Sequence, residues 1–129
     1  MTYCLDTDIL IHFMRGNKEV MKKIAANLDN ISTTYLNVCE LFKGAEFSKA
    51  PEEEKKLIDE MMKDMIILDL SVQSAKIYAN DYAKLKERGK MIEEFDILIS
   101  AITKSNNYIL VTRNKKHFEN IENLQTEEW

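Results

Sequence analysis

Met1-Thr2-Tyr3-Cys4-Leu5-Asp6-Thr7-Asp8-Ile9-Leu10-Ile11-His12-Phe13-Met14 sets the architecture of this chain. Up to Leu5 the apolar residues are continuous rather than alternating, the pattern of a short strand buried on both faces. Asp8 to Met14 then reads as a short helix closed by Gly16. A buried strand that passes directly into a helix is the first half of a crossover, and right-handed crossovers build parallel sheets.

Further along, the pattern repeats. Val20, Met21, Ile24, Ala25 and Leu28 fall at helical spacing within Lys18 to Leu28, and Ile31-Ser32-Thr33-Thr34 is a second short strand. A helix follows from Tyr35 to Phe47, with Leu36, Cys39, Leu41, Phe42 and Ala45 as its apolar side. Pro51 suits a first helical turn, and Glu52, Glu53 and Glu54 favour its positive end, so a helix is predicted to Lys63. Met65-Ile66-Ile67-Leu68 is the third strand. Ser71 caps a long helix that Gly89 ends, Glu93 to Ser105 is another, and Tyr108-Ile109-Leu110-Val111 is the fourth strand. Leu124 to Trp129 adds a last extended piece. The predicted fold class is α/β, an α/β/α sandwich around a short, mostly parallel central sheet of four to five strands, with residues 1–129 forming one domain.

Composition narrows the class. The chain has 129 residues, 45% of them hydrophobic and 31% charged, which fits a globular domain rather than a disordered one. With three Gly and one Pro, long loops are not expected. No apolar run reaches the roughly 18 residues of a membrane span, and no signal peptide is visible ahead of the first strand, so a cytoplasmic location is expected. Cys4 and Cys39 both lie in apolar runs and read as two buried thiols in a reducing compartment. Two His and no Cys-x-x-Cys argue against structural zinc. The formal charge of −4 counts against a protein that coats nucleic acid by charge alone. An enzyme that holds RNA through a metal and a local basic strip stays open.

Three acids stand out because they interrupt segments otherwise suited to burial: Asp6 at the end of the first strand, Glu40 within Leu36 to Phe42, and Asp96 within Ile92 to Ile102. A buried charge costs free energy unless a counter-charge or hydrogen bonds meet it. Asp8 is well placed to cap the first helix, whereas Asp6 sits one residue too far back. Glu40 has Lys43 at i+3, so a solvated face and a site are both open readings for it. Gly44 costs about 1 kcal/mol relative to Ala inside a helix, which points to something approaching closely there. Asp96 shares a stripe with Glu93, Ser100 and Thr103, opposite a buried side of Phe95, Leu98, Ala101 and Ile102, and lies in the second turn, where the helix dipole rewards an acid less. Ligands in parallel sheets bind beyond the carboxyl ends of the strands, which puts Asp6 and Asn114 on one edge. Val111-Thr112-Arg113-Asn114 ends the fourth strand with hydrogen-bonding side chains. Arg113, Lys115 and Lys116 are candidates for phosphate contacts, and His117 reads as part of a polar turn rather than as a ligand.

Two unit charges about 4 Å apart repel by about 4 kcal/mol at an effective dielectric of 20, so gathered carboxylates call for a cation. Hard divalent ions take oxygen ligands and substrate phosphate, and they make bound water acidic. On these residues the chain resembles the PIN-domain ribonucleases, specifically the VapC-type toxins of toxin–antitoxin pairs. The matching stretches are Leu5-Asp6-Thr7-Asp8-Ile9-Leu10-Ile11, Ile31-Ser32-Thr33 with Glu40-Leu41 and Gly44-Ala45, and Phe95-Asp96-Ile97-Leu98-Ile99. Leu110-Val111-Thr112-Arg113-Asn114, His117-Phe118 and Trp129 complete the set in the family's order. The resemblance implies a PIN-like fold and a metal-dependent endoribonuclease in which Asp6, Glu40 and Asp96 bind Mg²⁺ or Mn²⁺. Thr112 falls near that cluster. Asn114 stands where the family often has Asp, keeping an oxygen but not the charge, and Asp8 stands where Asn is common. It further implies an RNA substrate, tRNA among the family's targets, a homodimer, and a VapB-like antitoxin that blocks the site. Two other readings compete. One is a PIN-fold binding protein with weak or no catalysis, favoured by Asn114; the other is a phosphoacceptor signalling domain using Asp69.

Overall fold

The structure, a computed structural model, describes residues 1–129. Five short strands, β1 (Tyr3–Leu5), β2 (Ile31–Thr34), β3 (Ile66–Leu68), β4 (Ile109–Val111) and β5 (Thr126–Glu127), form one sheet in the order β3-β2-β1-β4-β5. Every neighbouring pair is parallel, with Tyr3 opposite both Ile31 and Ile109 in register. The connections are the helices α1 (Thr7–Met14), α2 (Lys18–Ala26), α3 (Tyr35–Glu46), α4 (Pro51–Lys63), α5 (Val72–Arg88) and α6 (Glu94–Ser105). No helix is long and apolar enough to cross a membrane.

Strand alternation sorts the core into two layers. Tyr3, Leu5, Ile109 and Val111 face one side, where Ile9, Leu10, Val20, Ile24, Leu41 and Ile58 from α1 to α4 cover them. Cys4 and Leu110 face the other side and meet Leu85, Ile97, Ile99 and Phe118. Burial on both faces explains why the central strands read as unbroken apolar runs. The strand order reverses direction between β1 and β4. In parallel sheets that switch point opens a crevice beyond the strands' carboxyl ends.

Local signals account for most helix boundaries. Ser71 and Ser74 form a capping box at α5, and Gly89 closes that helix at φ 65°, a left-handed conformation glycine adopts without strain. Several expectations need correction. Asp6, not Asp8, caps α1: it is extended and its side chain accepts from Thr7 N. The β1–β4 pairing continues to the Asp6 N–H, which donates to Val111 O, and α1 starts at Thr7, one residue earlier than the expected Asp8. Leu28 belongs to a 3-10 turn, Leu28–Asn30, and is 63% exposed. Cys39 is exposed, because α3 buries the i, i+4 stripe Asn37, Leu41 and Ala45 and turns Cys39 outward. Phe95 is also exposed, and Asp96 lies in the first turn of α6 rather than the second.

Candidate active site

Asp6 leaves β1 at the switch point and is 8% exposed. Its Oδ2 accepts from Thr112 Oγ1 at 2.9 Å, and its Oδ1 accepts from Thr7 N at 2.9 Å and from Asn37 Nδ2 at 3.2 Å. Thr112 is itself fixed, since its hydroxyl accepts from Asn114 N at 3.0 Å. Next along the chain, Asp8 Oδ2 accepts from Arg113 N at 2.9 Å. The residues after β1 and after β4 are therefore tied together twice, side chain to hydroxyl and side chain to backbone.

Glu40 reaches this edge from α3. Its Oε1 accepts from Thr7 Oγ1 at 2.6 Å, and Thr7 Oγ1 accepts from Asn37 Nδ2 at 2.9 Å, so one short relay joins Asp6, Asn37, Thr7 and Glu40. Asp96 arrives from α6, with its Oδ2 2.7 Å from His117 Nε2. No protein donor meets Glu40 Oε2 or Asp96 Oδ1, and neither is a buried orphan.

The electrostatics show how these acids feel one another. Burial first, then the charge of Asp8, pushes the Asp6 carboxyl up to about 7, against its hydrogen bonds from Thr112 and Thr7, with Asp96 adding to the rise. Burial likewise raises Glu40; the Thr7 hydrogen bond offsets part of this, and Asp96 and Glu93 add repulsion. Asp96 is raised by burial, partly offset by His117, with Glu93 and Asp8 repelling it. Five acids thus share one field with little positive charge to balance it. The side chains do not close on a point: no three His, Cys, Asp or Glu groups stand close enough together to enclose an ion unaided.

Asp6, Glu40, Asp96, Thr112 and Asn114, the candidates from sequence, lie along one edge, though the Asn114 side chain meets no partner. Lys115 and Lys116 are exposed beside it. Arg113 is committed elsewhere, its Nε donating to Trp129 O at 2.7 Å. Two contributors, Asn37 and Thr7, have no role in the sequence reading, and His117, expected in a polar turn and found in one, also meets Asp96. Asn37 was detectable by the same rule that found the acids, since it is a polar residue within an apolar run, and it is fully buried. Gly44 faces open space, with nothing packed within 4 Å of where a Cβ would stand, so the close approach expected there is not found. It borders a groove of about 310 Å³ that runs from Glu40 past Ile11 and Arg15 to Leu57. The largest cavity, about 540 Å³, opens instead around Asp81, Lys104 and Tyr108, at the amino ends of the strands and away from the acids.

The profile of the PIN domain family matches residues 3–124, and the chain belongs to that family. Its relatives narrow the class further. Ribonuclease VapC2 of Haemophilus influenzae is 34% identical over 130 residues, which cover 100% of this chain and 98% of that protein. The tRNA(fMet)-specific endonuclease VapC of Shigella flexneri is 28% identical over the same shares of both chains, 100% and 98%. Among solved structures, VapBC2 from Rickettsia felis bound to a DNA fragment from their promoter superposes with a TM-score of 0.93 at 27% identity, covering 100% of this chain and 99% of that one.

Proposed function

We propose that this chain is a VapC-type toxin, an endoribonuclease that hydrolyses RNA phosphodiester bonds with a divalent ion held by Asp6, Glu40 and Asp96. The observation that supports the ligand assignment is the trio of partly buried carboxylates, each from a different element, all raised in proton affinity by burial and by neighbouring acids. Loss of a proton by any of them is easier beside a cation, so the arrangement favours ion binding.

The donor set fits a hard ion. It offers oxygen alone, with Glu40 Oε2 and Asp96 Oδ1 free of protein donors. An open set suits Mg²⁺ or Mn²⁺, because such ions keep several waters and use few carboxylates together with substrate phosphate. When bound, the ion supplies charge stabilisation at the scissile phosphate and makes water acidic near neutral pH. The chain's own residues do the positioning: Thr112 and Asn37 hold the Asp6 carboxylate, Thr7 links it to Glu40, and Asn114 offers a neutral amide at the edge. Lys115 and Lys116 receive RNA phosphates beside this edge, and Arg113 contributes only the N–H groups that Trp129 leaves free.

The substrate class is structured RNA, with tRNA the first candidate given the Shigella flexneri relative's name. A VapB-like antitoxin is the partner, as in the VapBC neighbours. The phosphoacceptor alternative finds no support, since Asp69 follows the edge strand β3 and its side chain only closes a local turn on Leu70 N. RNA cleavage with added Mn²⁺ tests the proposal in Asp6→Asn and Asp96→Asn. Each should lose about 100-fold or more, the several kcal/mol an ion contributes at phosphorus. Undiminished cleavage in both variants would overturn it, and a wild type that never cleaves would favour the binding-protein reading that Asn114 raises.

A further inference from the structure

Between Asn114 and Glu119 the chain makes a 3-10 turn, Lys115–Phe118, whose placement is fixed by burial. Phe118 is 2% exposed and packs in the cluster that holds Ile97 and Ile99 of α6. His117 N donates to Asn114 O at 3.0 Å, and the His117 ring stands edge-on to Phe118 with centroids 5.6 Å apart. Asp96 immediately precedes Ile97. Both ends of the 2.7 Å contact between His117 Nε2 and Asp96 Oδ2 are therefore rooted in the same packed core, although their helices are joined by no other hydrogen bond between side chains.

We propose that His117 is a positioning residue for Asp96: its Nε2–H binds Oδ2, holds the carboxylate in one rotamer and leaves Oδ1 as the oxygen presented to the ion. The proposal rests on the ligand assignment of the previous subsection. An ionised carboxylate only accepts hydrogen bonds, so the contact places the imidazole proton on Nε2. A carboxylate in a first helical turn with no such partner would sample several rotamers, and an ion would have to freeze it. Hydrogen bonds to ligating groups remove that cost, and losing one weakens metal affinity by about 10–100-fold. His117 touches the ligand and does not replace it.

A double-mutant cycle read by Mn²⁺ binding separates this role from others. Full-length, metal-free protein is titrated with Mn²⁺ by calorimetry and by electron spin resonance, for wild type, His117→Phe, His117→Gln, Asp96→Asn and the double variant Asp96→Asn/His117→Phe. Circular dichroism checks each fold, and His117→Ala takes the place of His117→Phe in the cycle should the larger ring unfold the turn. His117→Phe should weaken Mn²⁺ binding by about 10–100-fold. His117→Gln, which retains an N–H donor, should recover most of it, and the double variant should bind no more weakly than Asp96→Asn alone. Wild-type affinity in His117→Phe would overturn the positioning role while leaving the ligand assignment intact. A further loss in the double variant would overturn it too, because His117 would then act on the ion independently of Asp96. Wild-type affinity in Asp96→Asn would remove the ligand assignment and this proposal together.

Discussion

Asp6 carries an opposition between folding and function within one carboxyl group. Its proton affinity is raised to about 7 because the folded chain buries it among other acids, while the unfolded chain leaves it near 3.8. Below pH 4 it is protonated in both states and costs nothing. Between the two values the unfolded state ionises and the folded state does not, so stability falls as pH rises through that window and levels off above about 7. The full span corresponds to about 4 kcal/mol at most. Asp6→Asn removes the ionisation and keeps the shape, and the Thr112 hydroxyl can rotate to accept from the new amide. The metal-free variant should therefore be more stable than wild type by roughly 1–3 kcal/mol at pH 8 and equal to it at about pH 3, below both values. Urea denaturation at the two pH values measures this, and a difference that does not change with pH would refute the account. The same substitution should abolish the stabilisation that Mn²⁺ gives wild type, a trade of stability against activity at a single atom pair.

Helices α5 and α6 are joined by a buried ion pair, Asp81 with Lys104 at 2.7 Å, the two side chains 5% and 13% exposed. Lys104 also donates to Glu122 O, whereas Asp81 Oδ2 has no well-directed hydrogen bond and is held by charge alone. Such a pair is expensive to break and cheap to replace. Asp81→Ala should cost about 3–5 kcal/mol by stranding Lys104, while Asp81→Leu with Lys104→Met should come within about 1 kcal/mol of wild type. Thermal unfolding of the three proteins decides it; equal losses in the single and double variants would contradict this view of the pair. Nothing in the sequence announces this contact, because it depends on how two helices cross. Elements with their own punctuation were legible: Pro51, Ser71 and Gly89 mark boundaries that the structure keeps. The start of α1 was not, because Asp6 and Asp8 can both cap and the choice falls to the hydrogen bond that Asp6 N–H donates to β4, more than 100 residues away. The acids of the site were legible as charges inside apolar runs. His117 was not, because its partner lies on another helix and nothing near it in sequence calls for a carboxylate.

At the scale of the whole molecule, an enzyme for a polyanion carries a formal charge of −4 and gathers further acids at its site. Long-range attraction cannot bring RNA to such a surface, so binding must depend on few and local contacts. Lys115 and Lys116 are exposed and unpaired beside the acids, whereas Lys84, Arg88 and Lys104 are engaged with Glu122 or Asp81 on the far face. Two lysine contacts with phosphate, joined by the free N–H groups of Arg113, release few counter-ions, and the logarithm of RNA affinity should fall with the logarithm of salt at a slope of only about −1.4 to −2.1. Lys115→Ala with Lys116→Ala should raise KM for RNA by about 10-fold at low salt, make that slope shallower by about 1.4, and change kcat by less than about 2-fold. Cleavage kinetics across a salt series distinguishes the possibilities. A fall in kcat with KM and slope unchanged would mean that the two lysines act on the reacting phosphate itself. An unaltered slope and KM would mean that RNA is held on another face, and the basic turn would then be ordinary solvated surface.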